Sequence, residues 1–333
     1  MLPLLNVKSL STHYYTPEGI VRAADGVSFH VHRGETVALV GESGCGKTVS
    51  ALSIVRLIRP SGKIVGGEVL FDGMDLLRMQ EKDVRRIRGL RIGMVFQEPS
   101  ASFDPIYTVG AQIMEILVQH KSLSREAALS GTVELLDKVG IADAERRVHS
   151  FPHEFSGGML QRAGIAAAIS CEPQLLIADE PTTSLDVTIQ AQTLELLAGL
   201  SQELGTAVLL ITHNFGLVSR YCRRAYVMYA GKIVETAPVD RLYQQPLHPY
   251  TAALWSAVLS LDRPKKRRVV ASGGWQPDLT DRTDGCAYFP HCNERELECE
   301  REEPALVAVD HSHYVLCHKA VAGGRNVAEC ATT

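Results

Sequence analysis

The stretch Gly41 to Thr48 reads Gly-Glu-Ser-Gly-Cys-Gly-Lys-Thr and fits G-x-x-x-x-G-K-[ST], the pattern of a phosphate-binding loop. The residues before it, Thr36-Val37-Ala38-Leu39-Val40, are β-prone and apolar, as a buried parallel strand is. Those after it, Val49 to Arg59, place Leu52, Val55 and Ile58 at helical spacing. The pattern therefore has the strand–loop–helix context that it needs. Gly41, Gly44 and Gly46 let the backbone curl around an anion so that successive N–H groups point inward. Glu42, Ser43, Cys45 and Val49 complete the candidate nucleotide contacts. The positive end of the following helix adds to the attraction. Lys47 is placed to reach the β- and γ-phosphates, and the Thr48 hydroxyl to take a Mg²⁺ position.

A chain of 333 residues holds one large domain and a smaller one. Its formal charge of −4 gives no electrostatic reason to expect nucleic acid. No apolar run approaches the ~18 residues of a membrane span, and the first residues lack a secretion signal, so the sequence reads as soluble and cytosolic. Cysteines cluster near the end, at Cys286, Cys292, Cys299, Cys317 and Cys330, with Cys45, Cys171 and Cys222 before them. That shift in composition marks a second module.

Residues 4–10 and 26–32 read as strands of an antiparallel region, joined by a turn at Thr16-Pro17-Glu18-Gly19. Tyr14 and Tyr15 lie upstream of the phosphate loop, where an aromatic ring can stack on adenine. Gly66 to Gly73 and Arg91 to Phe96 are further strands; the second ends at Gln97, whose amide oxygen can face a metal or an attacking water at the ligand-binding edge. Residues 109–140 carry one helical pattern, closed by breakers around Phe151-Pro152-His153. Ser156-Gly157-Gly158 then precedes an Ala-rich helix over 159–170, a second possible anion site.

Leu175-Leu176-Ile177-Ala178 is an apolar strand that delivers Asp179 and Glu180 at its end. Side chains alternate along a strand, so the two acids play different parts: Asp179 in the Mg²⁺ shell, Glu180 polarising a water against the γ-phosphate. Pro181 to Asp186 leads into a helix over 187–204, and a strand over 207–211 ends at Thr212-His213. His213 falls at the same sheet edge, where it can donate to the γ-phosphate.

Taken in order, the phosphate loop, Gln97, Phe155-Ser156-Gly157-Gly158, Asp179-Glu180, Ser184-Leu185-Asp186 and His213 resemble the ATP-binding subunits of ABC transporters. The likeness covers residues 4–250. It implies an α/β P-loop NTPase fold with a RecA-like parallel sheet core, an antiparallel β region, a helical insert and a small Cys-rich C-terminal module. The expected division is an ATP-binding domain over 1–255, with its helical subdomain at 100–165, and an extension over 256–333. The resemblance also implies a head-to-tail pair of such domains around two ATP molecules, each with Mg²⁺. Ser156, Gly157, Gly158 and Asp186 of one subunit would complete the other's site. Tyr14 takes the adenine-stacking position. Gln97 binds Mg²⁺ and couples to the membrane subunit, and Glu180, His213 and Gln97 serve catalysis.

Within that family Gln97-Glu98-Pro99 through Pro105, Leu247-His248-Pro249-Tyr250-Thr251 and the tail with Pro277-Asp278-Leu279 are similar to the peptide and nickel importer branch. The expected partners are a second, paralogous ATP-binding subunit, two permease subunits and a substrate-binding protein, at the cytoplasmic face of the inner membrane. Nickel or an opine-like compound is the alternative cargo. Met159 and Leu160 follow Gly158 where the wider family prefers polar residues, and Asn214 follows His213 where Asp is usual. A soluble ABC ATPase of DNA repair or translation is disfavoured, because sustained heptads and a second phosphate loop are missing. A small-molecule P-loop kinase is disfavoured by Ser156-Gly157-Gly158 together with His213.

Residues 262–284 are rich in Pro, Gly and charge, as a linker is, and Lys265 to Arg268 read as a solvated run. Five residues separate Cys286 from Cys292, six Cys292 from Cys299 and seventeen Cys299 from Cys317. This is neither close-paired zinc spacing nor a ferredoxin run. Spacing alone says that four thiolates can converge on a metal, with His291, His311, His313 and His318 as substitute ligands. The resemblance adds that some peptide-importer subunits carry a [4Fe–4S] cluster on such a tail, with zinc as the alternative.

Overall fold

The computed structural model describes residues 2–183, 186–257, 280, 284–322 and 325–326. Ser184-Leu185, the basic run at Lys265, Pro277-Asp278-Leu279 and Cys330 lie outside the described residues. By packing, the chain divides into two compact units. The first comprises Met1–Leu5, Val31–Thr36 and Phe71–Ile211, the second Asn6–His30, Val37–Leu70 and Thr212–Thr333.

The elements begin with β1 (Leu5–Thr16), β2 (Gly19–Val31), β3 (Thr36–Val40), α1 (Lys47–Ile54), β4 (Gly62–Phe71) and β5 (Met74–Asp75). Next come α2 (Glu81–Ile87), β6 (Ile92–Val95), α3 (Pro99–Ser102), α4 (Val109–Lys121), α5 (Arg125–Lys138), α6 (Ala144–Arg147), α7 (Gly157–Ile169) and β7 (Leu175–Asp179). Then follow α8 (Val187–Leu204), β8 (Ala207–Thr212), α9 (Phe215–Tyr221), β9 (Arg224–Tyr229), β10 (Lys232–Pro238), α10 (Val239–Gln244) and α11 (Pro249–Ala257). The C-terminal part holds α12 (Leu297–Arg301), β11 (Leu306–Ala308), β12 (Tyr314–Leu316) and β13 (Arg325–Asn326).

In the first unit β6, β7 and β8 are parallel neighbours, with Val95 opposite Ala178 and Asp179 opposite Ile211. Every residue of β7 and β8 is buried, which is why these strands read as continuous apolar runs rather than alternating ones. The single helical pattern expected over 109–140 is two helices. Ser122 adopts a left-handed φ of 54° after α4, and the Ser124 hydroxyl accepts from the Ala127 N–H to start α5.

In the second unit β2, β1 and β4 share one sheet. A second sheet runs β13-β11-β12-β10-β9-β3, with β3 parallel to β9 and the β9–β10, β10–β12 and β12–β11 pairs antiparallel. The C-terminal strands thus extend the sheet that carries the phosphate loop at the end of β3. Helix α1 stops at Ile54, short of the expected Arg59: Arg56 turns left-handed at φ 55°, and the Leu57 N–H bonds back to the Leu52 carbonyl. Among the described residues no helix is long and apolar enough to cross a membrane.

Candidate functional site

The phosphate loop leaves β3 at Gly41 and enters α1 at Lys47. Two of its glycines are fixed by close approach. A Cβ on Gly41 would stand 2.2 Å from the Met228 carbonyl oxygen, and one on Gly46 1.9 Å from that of Ala23. Gly46 also holds φ 105°, which side-chain-bearing residues rarely adopt. Ser43 and Gly44 are exposed, Thr48 and Val49 half-buried. Lys47 is buried, and its Nζ donates to the carbonyls of Gly41 and Glu42, each at 2.8 Å. The Cys45 carbonyl accepts from the Gly231 N–H at 3.0 Å, and burial raises the pKa of its thiol. The Glu42 N–H donates to the Tyr250 hydroxyl at 3.0 Å. Of the loop amides counted as anion contacts, that of Glu42 is therefore turned to a side chain.

Tyr14 is half-buried, and a Cβ on Gly62 would lie 2.4 Å from the Ile58 Cγ2 and 2.8 Å from the Tyr14 Cε1. Tyr15, the next residue along β1, is exposed, with the Lys63 ammonium 5.5 Å from its ring centre.

The first unit carries the carboxylates. Asp179 closes β7, and Asp179 and Glu180 are both buried. Glu180 sits at φ 44°, a left-handed conformation that a non-glycine residue holds only where its surroundings impose it. Its N–H is bonded to the Ile211 carbonyl, which pins it to β8. Its Oε2 accepts from the Thr183 hydroxyl at 2.8 Å and from Gln97 Nε2 at 3.2 Å. Gln97 is thereby brought to Glu180 by its amide nitrogen, which leaves its amide oxygen free to face a metal or water. Thr183 was not singled out from the sequence; its place three residues after the acid was the available signal.

Ser156 starts α7, its hydroxyl accepting from the Met159 N–H at 3.3 Å, and Ser156 and Gly157 are exposed. Leu160, a departure from the polar preference, is 6% exposed and belongs to the core. Asp186 starts α8 in the same way, accepting from the Ile189 N–H at 3.0 Å. His213 follows β8 and is exposed; Asn214 starts α9 by accepting from the Gly216 N–H.

In the tail, Cys299 is buried and Cys286, Cys292 and Cys317 are half-buried. The Cys286 N–H donates to the Cys299 carbonyl at 2.8 Å. Burial, and next the neighbouring thiols, push Cys286 up to about 11, and the same causes raise Cys292 and Cys317. The four thiols are thus neighbours. Even so, among the described residues no group of three or more His, Cys, Asp or Glu side chains is arranged to hold a metal ion, so the metal site expected in the tail is not formed in this arrangement. Two candidate substitutes are engaged elsewhere: His313 with Glu235, and His318 with the Glu302 carbonyl.

The ABC transporter family model matches residues 24–183, and that of the oligopeptide/dipeptide transporter C-terminal region matches residues 234–299. The chain is 48% identical over 318 residues to a probable peptide ABC transporter ATP-binding protein, y4tR, of Sinorhizobium fredii, covering 95% of each. It is 46% identical over 313 residues to the oligopeptide transport ATP-binding protein OppD of Bacillus subtilis, covering 94% of this chain and 87% of that one. Among solved structures, the dimeric ATP-binding cassette MJ0796 in a post-hydrolysis state with ADP and Pi matches with a TM-score of 0.64 at 26% identity. That match covers 71% of this chain and 98% of the cassette.

Proposed function

The chain belongs to the ABC transporter family, among its peptide-type ATP-binding subunits, and on that footing we propose that it powers the import of peptides by binding and hydrolysing ATP. The observation that carries the reading is the pairing, in one chain, of a phosphate loop folded around Lys47 with a C-terminal region of the oligopeptide/dipeptide type. Lys47 and the amides from Ser43 to Val49 take the phosphates, Tyr14 stacks on adenine, and Thr48, Gln97 and Asp179 serve Mg²⁺. Glu180 polarises the attacking water, with His213 supporting the γ-phosphate. A Mg²⁺ held by Thr48, Gln97 and Asp179 would supply positive charge to the phosphoryl oxygens.

Ser156, Gly157, Gly158 and Asp186 complete the ATP site of a second, paralogous subunit. The exposure of Ser156 and Gly157 at the start of α7 supports this. The helical subdomain docks a permease subunit at the cytoplasmic face of the inner membrane, and a substrate-binding protein delivers the peptide to two such permeases. Support comes from a groove of about 520 Å³ lined by Tyr107, Ala111, Met114, Val118 and Arg125, beside the exposed Ile106. The division into an ATP-binding domain over 1–255 and an extension over 256–333 follows the same reading.

For the tail we favour a [4Fe–4S] cluster on Cys286, Cys292, Cys299 and Cys317 over zinc. What supports four ligands from this tail is that Cys286, Cys292, Cys299 and Cys317 lie near one another, with the Cys286 N–H bonded to the Cys299 carbonyl. Iron, sulfide and zinc analysis of anaerobically purified protein tests this: four irons and four sulfides per chain are expected, and metal-free protein would rule it out. For the function itself, the detergent-solubilised complex is expected to hold permease subunits and to drive ATP-dependent peptide uptake in vesicles. Recovery of the protein on ribosomes or nucleic acid would overturn it.

A further inference from the structure

A buried hydrogen-bonded path joins the C-terminal segment to the phosphate loop within the second unit. It starts at His313, 4% exposed, whose Nε2 lies 2.6 Å from Oε1 of the wholly buried Glu235. The same Oε1 accepts from the Leu247 N–H at 2.8 Å, and Oε2 from the His248 N–H at 3.0 Å. His248 Nδ1 accepts from the Tyr250 N–H at 3.1 Å. The Tyr250 hydroxyl accepts from the Glu42 N–H, and the Glu42 carbonyl accepts from Lys47 Nζ.

Three features show that this path is built. Strand β10 is irregular between Ile233 and Glu235, the kind of register shift that re-aims a side chain. Glu235 pairs with Val315 of β12, and that register brings His313, two residues earlier, to the carboxylate. Tyr288, two residues after Cys286, packs edge-on against Tyr229 at 5.2 Å and against Tyr250 at 5.5 Å. A second tie runs from Glu303 through Lys232 to Asp25, at 2.5 and 3.3 Å.

A buried carboxylate is tolerated where donors converge on it, and here three do. Two of them fix the Leu247-His248-Pro249-Tyr250 segment, and that segment ends on the loop. The Glu42 amide is bonded to a side chain outside the loop, so the tyrosine hydroxyl bears on which way the first turn of the cradle faces.

We propose that Tyr250 is a positioning residue for ATP and that the docked C-terminal segment, through His313 and Glu235, holds the phosphate loop in its binding conformation. The proposal rests on the reading of the loop as an ATP site. The test uses the full chain as wild type, Tyr250→Phe, His313→Ala and the double variant. Mg–ATP affinity and ATPase KM and kcat are measured after near-ultraviolet circular dichroism shows each variant folded.

Loss of one hydrogen bond that orients the loop raises KM and the dissociation constant about 5- to 10-fold in Tyr250→Phe, with kcat nearly unchanged. His313→Ala lowers affinity in the same direction, and the double variant loses less than the product of the two single effects. Tyr229→Phe, whose hydroxyl is buried with no bonding partner among the described residues, keeps wild-type affinity. Unchanged affinity in Tyr250→Phe, an equal loss in Tyr229→Phe, or fully multiplicative losses in the double variant would overturn the proposal. A wild-type chain that binds no ATP would instead overturn the functional reading beneath it.

Discussion

Lys47 is 4% exposed, and its Nζ donates to the loop carbonyls of Gly41 and Glu42. Phosphate oxygens hold an ammonium more strongly than carbonyl dipoles do, so a bound nucleotide would draw Nζ from these two carbonyls. Lys47→Ala is expected to weaken ATP binding about 10- to 100-fold, the scale of hydrogen bonds to a charged group, as read by calorimetric titration. Glu180 behaves differently. Its left-handed backbone and its bonds from Thr183 and Gln97 aim one carboxylate oxygen, and Gln keeps that shape without the charge. Glu180→Gln is expected to lower turnover by about 100-fold or more with ATP binding retained, measured by phosphate release; near-normal hydrolysis would remove Glu180 from the role of base. His248 yields a pH prediction. Burial pushes it down to about 4, so the folded chain refuses a proton that the unfolded chain accepts below the ordinary 6.5. Its contribution to stability is full above pH 6.5 and is lost as pH falls from there toward 4, amounting to about 3 kcal/mol at most. Urea titrations between pH 7 and 4.5 are expected to show a shallower pH slope in His248→Gln than in wild type. Asp179 and Glu180 were legible in the sequence because an apolar strand ending in two acids is a local pattern. Glu235, His248 and Tyr250 were not legible as a network, because their meeting depends on burial and on the register of a distant strand.

At the scale of elements, continuous apolar runs gave away β7 and β8, and glycines with a following Lys-Thr gave away α1. Boundaries were harder to read. The periodicity of 109–140 survives across its break because α4 and α5 both bury one apolar face; two serines in the gap cost little in pattern but stop one helix and start the next. The overlong reading of α1 has a similar origin, since Val55 and Ile58 keep helical spacing after the chain has turned at Arg56. Helix α7 shows what a departure from family preference means. Leu160 faces the core and Met159 is half-buried, so the turn after Gly157 is anchored by apolar contact. Leu160→Ala is expected to destabilise the protein by about 2–3 kcal/mol, through lost burial and the cavity left behind. Chemical denaturation checks the value; a change below about 0.5 kcal/mol would mean that the site collapses around the smaller side chain.

Across the whole molecule, each of the two packed units is assembled from separate stretches of the chain. The tail with its cysteines shares a unit, and a sheet, with the phosphate loop. Composition marked the tail as separate because cysteines and a charged linker stand out along the chain, whereas β12 pairing with β10 is a long-range event that three-residue strands do not announce. Residues 100–165, expected as a helical insert, hold α4, α5, α6 and the start of α7, and exposed side chains there carry the remaining expectation. Ile106 is 71% and Tyr107 55% exposed, an uneconomical placement for two large apolar side chains unless something covers them. Tyr107 lines a groove that also holds Ala111, Met114 and Val118 together with Glu115 and Arg125. A partner that fills the groove with apolar side chains would bury Ile106 and Tyr107, and a charge at either position would stay solvated in the free subunit yet oppose docking. Ile106→Asp is therefore expected to leave ATP affinity and folding of the isolated subunit unchanged, while permease subunits no longer co-purify and peptide uptake fails. Retained assembly with normal uptake would move the permease contact away from this face. Equal loss of ATP binding and assembly would show that the substitution disturbed folding rather than docking, and Tyr107→Glu then repeats the test at the neighbouring side chain.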